Sequence, residues 1–538
     1  MALRDPQRQS LQPQRQARRH PSALALAQIV GIAVFLSLAT LRFLVAPLDR
    51  FDEGVTLTKA ALVASGHVPF RDFWATYGPL DSYLLAAAFK LFTTSVVVER
   101  LMGVVVLATM GIVAFFITRF IKLQGGLRVL LTGLIAMVPL SVPAFNSAFL
   151  ANLIGLGAML AFLASLDRAS PRWPWLTGAL VGLASFARPE FAVALGGGFV
   201  IGYAVTAVAD PTAVSRRLLP FLGGALLASI VLWLPVVLVA GMGPVWFDLV
   251  AYALELYPKA RSIPFGRGGE GLVVIAFSAA FALVWLWAGL RAYRQRGDRR
   301  KLAGLLGLLV GGMLLFTWVR TRADGIHAFD AWPLTAVLLG LLLADRPAPR
   351  RTPSASLQAV VSLAGILLLS VGAGGLAVRD WVRPHADAGL PRSGISGERA
   401  WMPTRELATL IKTIDAAVPP GRRIWIGLQR NDRVTFNDTM LYFLTGREPG
   451  TIYYETLPGL TNTEEREREI ACQLDAHDVD LVVLGPNAAG EPWNLSSVPG
   501  STFLDQWIAG RALSRSEIGP YEIVRLTPGR PSDAPCPG

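Results

Sequence analysis

Long apolar segments, repeated down the chain, constrain this sequence more than any other feature. A helix needs about 20 predominantly apolar residues to cross the hydrocarbon of a bilayer, and there its backbone has to satisfy its own hydrogen bonds. Eleven stretches read as such segments, with approximate limits 22–46, 96–118, 129–143, 147–165, 173–187, 190–208, 218–240, 270–290, 302–318, 328–344 and 355–377. Composition agrees: 53% of the 538 residues are hydrophobic and 16% are charged, against about 25% charged in a soluble domain. The chain therefore reads as a polytopic α-helical membrane protein.

The basic residues set the topology. Arg15, Arg18 and Arg19 precede the first apolar segment. Arg119, Lys122 and Arg128 follow the second, Arg168 and Arg172 the fourth, and Arg216 and Arg217 the sixth. Arg291, Arg294, Arg296, Arg299, Arg300 and Lys301 follow the eighth, and Arg346, Arg350 and Arg351 the tenth. Short basic clusters at alternate exits are the signature of cytoplasmic loops. The net charge of +12 is thus accounted for by membrane topology and gives no reason to expect a nucleic-acid partner. The remaining loops, and everything after residue 378, face the other side. One stretch stays open: 80–92, Leu-Asp-Ser-Tyr-Leu-Leu-Ala-Ala-Ala-Phe-Lys-Leu-Phe, either lies in the interface or crosses, raising the total from eleven to near thirteen.

The non-cytoplasmic loops carry the polar chemistry. Loop 47–95 holds Asp52-Glu53-Gly54, then His67, Arg71, Asp72 and Tyr77-Gly78-Pro79. Residues 56–65 read as a short helix, ended by Gly66. Two adjacent carboxylates at a membrane edge suit general-base chemistry on a hydroxyl. They suit equally the plain role of capping the helix that follows. Arg188-Pro189-Glu190 lies between two apolar segments, where charges are costly unless paired or used. Loop 241–269 alternates aromatic and charged residues and supplies Lys259, Arg261 and Arg267, suited to a phosphate or to lipid headgroups. Arg320, Arg322, Asp324 and His327 form a second polar cluster; guanidinium offers paired donors for phosphate.

After residue 379 the pattern changes. Helical stretches at 404–417, 438–444, 461–474 and 501–509 alternate with strands at 423–427, 479–484 and 521–526. Such alternation predicts a small α/β domain with a sheet of three or four strands. No glycine-rich nucleotide fingerprint is present. Tyr453, Tyr454 and Glu455 are candidates for a surface over the membrane site. The expected organisation is a disordered basic tail over 1–21, a membrane domain over 22–378, an extracytoplasmic α/β domain over 379–528 and a disordered tail over 529–538.

Asp52-Glu53 after the first span, then Gly-His-Val-Pro-Phe-Arg-Asp-Phe (66–73), Tyr77-Gly78-Pro79 and Glu99-Arg100 resemble bacterial members of the GT-C superfamily of membrane glycosyltransferases. The nearest group looks like the aminoarabinose-transferase and protein O-mannosyltransferase relatives, and the resemblance covers roughly residues 22–377. It implies an enzyme of the bacterial plasma membrane that transfers a sugar from a polyprenyl-phosphate donor to an envelope glycan, glycolipid or lipid acceptor on the extracytoplasmic face. The resemblance implies Asp52 as the catalytic carboxylate, with Glu53 the close second. Where the family carries a Lys-Pro-Pro or His-Pro-Pro-like motif, this chain reads Tyr77-Gly78-Pro79-Leu80. Arg71, Arg261, Arg320 and Arg322 then become the candidate donor-phosphate ligands. His67, Asp72, Tyr77, Arg188, Glu190, Asp324 and His327 are the candidate acceptor and sugar contacts. Some members use a divalent metal, for which Asp52, Glu53 or Asp324 are the available ligands. The alternatives are a lipid-linked-sugar flippase or transporter, and a membrane protein that binds a glycolipid without turnover.

Overall fold

The computed structural model describes residues 23–41, 48–136, 145–267, 271–295, 297–344 and 405–528. The expected terminal tails and the apolar segment 355–377 lie outside them. Fifteen helices precede residue 345 among the described residues. They are α1 (Ala23–Leu41), α2 (Asp52–Ala64), α3 (Leu80–Leu91), α4 (Val96–Phe120), α5 (Gly125–Ala136), α6 (Ser147–Asp167), α7 (Arg172–Ala187) and α8 (Pro189–Ala209). After a π-helical turn, Val214–Leu218, come α9 (Leu219–Ala240) and α10 (Met242–Trp246). A second π-helical stretch, Phe247–Leu256, leads into α11 (Tyr257–Ala260). Then follow α12 (Gly271–Arg294), α13 (Arg299–Thr321), α14 (Gly325–Asp330) and α15 (Trp332–Ala344).

Six of the described helical segments are long and apolar enough to cross a membrane: Val96–Phe120, Ser147–Asp167, Pro189–Ala209, Val214–Ala240, Val274–Arg294 and Arg299–Thr321. The other expected segments within the described residues are shorter helices, including Gly125–Ala136 and Trp332–Ala344. The α7–α9 and α8–α13 pairs pack through glycines and alanines, the small residues that let helices approach closely where water provides no hydrophobic drive. Loop 47–95 holds the two short helices expected of it, α2 and α3, packed on each other. With only 12 residues, α3 is too short to span hydrocarbon at 1.5 Å per residue.

The C-terminal region is α/β, as its periodicity predicts. Its elements are α16 (Arg405–Ala417), β1 (Arg423–Leu428), α17 (Met440–Thr445), β2 (Glu448–Pro449), α18 (Glu464–Ala476), β3 (Leu481–Gly485), α19 (Phe503–Arg511), β4 (Ala512–Ile518) and β5 (Tyr521–Leu526). The sheet has five strands in the order β2-β1-β3-β5-β4, one or two more than expected. β1 is parallel to β2 and β3, and β5 is antiparallel to β3 and β4. The extra full strand, β4, is a polar edge whose middle five residues are exposed. It lacks the apolar alternation that betrays a half-buried strand, and its charges suit an edge that must not pair further.

The alternation of side chains along the strands divides the core. Ile424, Ile426, Leu481, Val483 and Ile523 join the apolar cluster that also contains Leu57, Ala60 and Phe89 of the membrane domain. Trp425, Val482, Leu484 and Val524 face a separate cluster under α18 and α19. One face of the sheet is therefore continuous with the membrane domain's core. Phe89 of α3 meets Phe443 of α17 with ring centroids 5.9 Å apart. The sheet domain is docked on α2 and α3, not tethered beside them.

Candidate active site

The site is organised by α2. Asp49 accepts hydrogen bonds from the amides of Phe51 (2.9 Å) and Asp52 (3.1 Å), so it serves the first free donor of the helix and the amide just before it. The helix therefore starts at Asp52, four residues before the expected start at 56, and the capping role suggested for Asp52 and Glu53 falls to Asp49. With 3.6 residues per turn, positions i, i+3, i+4 and i+7 share one face. Asp52, Val55, Thr56 and Lys59 accordingly line one cavity of about 210 Å³.

The neighbouring motif residues point elsewhere. Glu53 is buried and receives Arg100 in a forked pair, Nε to Oε1 at 2.6 Å and Nη2 to Oε2 at 2.9 Å. Its Oε2 also accepts the Asp49 amide at 3.0 Å. The expectation of Glu53 as a second catalytic carboxylate is corrected by this pairing: its lone pairs are used in holding α2 to α4. Gly54 lies where α2 meets α17, and a Cβ there would come within 2.5 Å of the Met440 amide nitrogen. The same contact carries hydrogen bonds from the Met440 amide to the Arg50 carbonyl (3.1 Å) and from the Thr58 hydroxyl to the Thr439 carbonyl (3.0 Å). In Tyr77-Gly78-Pro79, a Cβ on Gly78 would come within 2.3 Å of the Phe186 carbonyl oxygen. That glycine lets the loop lie on the end of α7 and delivers Tyr77 to the cavity.

Two distant loops are stitched together on the opposite wall. The Ile263 amide donates to the Thr321 carbonyl (3.2 Å), and the Ala323 amide donates to the Ile263 carbonyl (2.9 Å). This short parallel bridge sets Arg261 beside Arg322, and Arg322 Nη1 donates to the Arg261 carbonyl at 2.7 Å. Arg322 Nε also donates to Asp324 at 2.7 Å. His327 Nδ1 lies 2.6 Å from the other Asp324 oxygen, and its Nε2 is 3.3 Å from the Tyr257 hydroxyl. Burial alone would raise the Asp324 carboxyl, but the His327 hydrogen bond and charge, with Arg322, hold it down at about 2. Asp324 is thus a fixed anion that orients a histidine and an arginine.

Arg188 is held between carboxylates, with Nε 2.5 Å from Glu190 and Nη1 3.3 Å from Asp330. Its guanidinium lies 4.4 Å from the centroid of the Tyr77 ring. Burial pushes the Tyr77 phenol up, so it is a neutral hydroxyl at physiological pH. Lys59, also buried, is 3.4 Å from Asp81.

Among the described residues, no ion pair or hydrogen bond engages the Asp52 carboxylate or the Arg261 guanidinium. Asp52 keeps an exposed side chain inside a recess crowded with protein. That crowding pushes its carboxyl above the ordinary value, with Asp49 adding to the rise and Arg261, Arg322 and His327 opposing it. A carboxylate so placed is a stronger base than an ordinary aspartate.

The C-terminal domain completes the wall. Glu455 is buried and accepts a hydrogen bond from the Thr76 hydroxyl at 2.8 Å; burial raises its carboxyl, against the Thr76 bond and the charges of Lys59 and Arg261. Leu457 also lines the cavity. Asn494, buried, donates to the Ser262 carbonyl at 3.0 Å, which ties the domain to the Arg261 loop. A second hollow, about 320 Å³ and mostly apolar, adjoins the cavity. Val193, Leu249, Leu254, Leu314 and Trp318 line it, and both hollows share Thr76, Tyr77, Arg188, Tyr252, Tyr257 and His327.

Of the residues expected from sequence, Asp52, Tyr77, Arg188, Arg261, Arg322, Asp324 and His327 line the cavity. Glu190 lines the apolar hollow instead. Arg320 is exposed on the last turn of α13, whereas Arg322 lies past the helix end in extended backbone (φ −135°, ψ 100°) and lines the cavity. His67, Arg71 and Asp72 follow the far end of α2 and line a different recess. Sequence reasoning gave no site role to Lys59, Asp81, Tyr252 or Tyr257. Only Lys59 carried a signal, its i+7 spacing from Asp52. Among the described residues, no three His, Cys, Asp or Glu side chains group in a way that could hold a metal ion, since Glu53 and Asp324 are committed to arginine and histidine.

No protein-family model and no curated protein matches the chain. Solved structures do. The crystal structure of ArnT from Cupriavidus metallidurans bound to undecaprenyl phosphate is 15% identical, with 93% of this chain and 97% of that one covered and a TM-score of 0.54. The apo state of the same protein is 12% identical over the same shares, also with a TM-score of 0.54. The Archaeoglobus fulgidus oligosaccharyltransferase tethered with an acceptor peptide covers 86% of this chain and 69% of its own, at 15% identity and a TM-score of 0.49. The chain thus shares the overall fold of ArnT, built here as a helical membrane domain with a small C-terminal sheet domain.

Proposed function

We propose that this chain is a membrane glycosyltransferase that moves a sugar from a polyprenyl-phosphate donor to a glycan or lipid acceptor of the cell envelope. The carrying observation is the Asp52 carboxylate, without an ion-pair partner among the described residues, in a cavity that also holds Arg261 and opens into an apolar hollow. In this reading the acceptor oxygen attacks the anomeric carbon as Asp52 takes its proton. The bond from that carbon to the phosphate oxygen breaks, and its electron pair leaves with the polyprenyl phosphate. A single displacement inverts the anomeric centre. The phosphate gains a negative charge, which Arg261, Arg322 and Lys59 stabilise. Lys59 thus takes the part expected of a basic residue before Pro79. The apolar hollow beside Tyr77 and Trp318 accommodates the first units of the lipid, and the ArnT structure with undecaprenyl phosphate supports a donor of this class.

Sidedness follows from charge. Lys122, Arg291, Arg300 and Lys301 gather at the end of the bundle away from Asp52, and a basic end marks the cytoplasmic side. The active site and the sheet domain then face outward from a bacterial plasma membrane. The test is purified protein in lipid, supplied with radiolabelled polyprenyl-phosphate sugars and envelope extracts. Label transfer that collapses in Asp52→Asn supports the reading. Transfer that persists in Asp52→Asn removes Asp52 as the base. Absence of transfer with intact lipid-phosphate binding favours the flippase or glycolipid-binding alternatives.

A further inference from the structure

A polar hollow distinct from the Asp52 cavity sits at the other end of α2. It measures about 460 Å³ and lies between the loop after α2 and the β2 edge of the sheet. It shares no lining residue with the Asp52 cavity. Asp52 and Ser65 are separated by about 20 Å along the helix, at 1.5 Å per residue.

The loop that builds one wall is strained. Phe70 holds a φ of 69°, a left-handed conformation uncommon for a bulky residue. It persists because the Phe70 ring is buried against Trp233, with centroids 6.2 Å apart, and because the Phe70 amide bonds the Phe73 carbonyl at 3.0 Å. Strain held by its surroundings is characteristic of ligand-binding loops. This one brings His67, Arg71 and Asp72 to face Arg423, Glu448 and His477.

The charges there are balanced in pairs. Arg71 donates to Asp72 through Nε and Nη2, both at 2.8 Å. Arg423 Nε is 3.5 Å from Glu448. His67 stands between the two carboxylates, Nε2 3.2 Å from Glu448 and Nδ1 3.9 Å from Asp72. His477 Nδ1 bonds the Gly450 carbonyl at 2.7 Å. A carbonyl only accepts, so that nitrogen carries the hydrogen and Nε2 is an acceptor in the neutral ring. With each guanidinium beside a carboxylate, the recess offers no surplus charge to a phosphate or a metal ion. Carboxylates keep free lone pairs and guanidinium keeps free N–H groups after one such pairing. Both donors and acceptors therefore line a void of ligand size. A hydroxyl group both donates and accepts, so a ring bearing several hydroxyls matches this pattern better than an ion does.

We propose that the recess between the α2–α3 loop and the sheet edge binds a neutral saccharide unit, at a second site separate from the Asp52 cavity. It does not depend on Asp52 chemistry. The test uses the full chain in lipid nanodiscs, with methyl glucoside, methyl mannoside, methyl galactoside and inorganic phosphate as probes, read by saturation-transfer NMR. At least one glycoside is expected to bind, with Kd raised at least 10-fold by Arg71→Ala and by Ser65→Trp and unchanged by Asp52→Asn. Arg71 and Ser65 are exposed, so both variants are expected to fold; Ser65→Trp fills the rim without removing a charge. Glu448→Gln, which keeps an acceptor, is expected to fall between wild type and Arg71→Ala. The proposal is overturned if no glycoside binds, if only phosphate binds, if binding survives both Arg71→Ala and Ser65→Trp, or if Asp52→Asn abolishes it. Loss of sugar transfer in Asp52→Asn with glycoside binding intact separates this site from the proposed catalytic reading.

Discussion

Asp52 and Glu53 are adjacent carboxylates on the same helical turn, and the fold gives them opposite lives. Glu53 turns inward and meets Arg100 in a buried fork. Asp52 turns outward into a cavity where Arg261 and Arg322 stand on another wall and oppose the rise of its carboxyl. The difference is one step of about 100° around α2. It teaches that a charge bound by its own fold is structural, whereas one left facing a cavity is available to a ligand. The same contrast holds for the arginines: Arg188 is held by Glu190 and Asp330, while the Arg261 guanidinium lies 6.0 Å from the Phe51 ring centroid and has no carboxylate partner among the described residues.

The sharpest way to break this comparison is to remove each charge in turn. Asp52→Asn keeps the shape and deletes the base, so sugar transfer should fall by about 10²- to 10⁴-fold, the usual worth of a positioned general base. Its melting temperature should stay near wild type, measured by thermal unfolding in detergent. Glu53→Gln should do the reverse. It removes the carboxylate that receives the Arg100 fork, and breaking a buried pair costs about 3–5 kcal/mol. The variant should melt far earlier, while folded protein retains substantial transfer. If the two variants exchange these phenotypes, the assignment of roles is wrong.

Gly54→Ala sharpens the same point one residue on. The added methyl meets the Met440 backbone at 2.5 Å, and backbone does not yield as a flexible side chain would. Forcing a carbon into such a contact costs about 1–3 kcal/mol. Because the contact docks the sheet domain on α2, the loss should appear as earlier release of residues 405–528 to limited proteolysis. A variant as resistant as wild type would show that the α2–α17 contact is looser than the structure has it.

The membrane class and the α/β character of the C-terminal region were legible, because period, apolar run length and charge placement are local properties. The pairing of Glu53 with Arg100 was not. Both residues were visible as motif members, but only the packing of α2 on α4 brings them together. Arg71 and Arg320 looked as suitable for a phosphate as Arg261 and Arg322. What separates them is the Ile263–Arg322 bridge, a backbone contact between segments about 60 residues apart that leaves no mark in composition. Lys59 was readable in principle, since helical period alone puts it under Asp52. Glu455 was placed over the membrane site on position alone. Its hydrogen bond to Thr76 spans 379 residues of sequence and depends on how the sheet domain docks.

The smallest effect is also the most diagnostic of Asp52. Burial and Asp49 raise its carboxyl, against Arg261, Arg322 and His327. The base form is the carboxylate, so a raised value means the proton is held to higher pH and transfer declines as pH falls through it. The acid limb of kcat/KM should therefore lie above the ordinary aspartate range of about 3.9. Asp49→Asn keeps a capping acceptor but removes the repulsion, so the limb should move to lower pH. Arg261→Gln removes an opposing cation and should move it to higher pH, besides weakening donor binding. Shifts of opposite sign from these two substitutions would identify Asp52 as the titrating group. A limb that ignores both would assign the pH dependence, and with it the base, to another residue of the cavity.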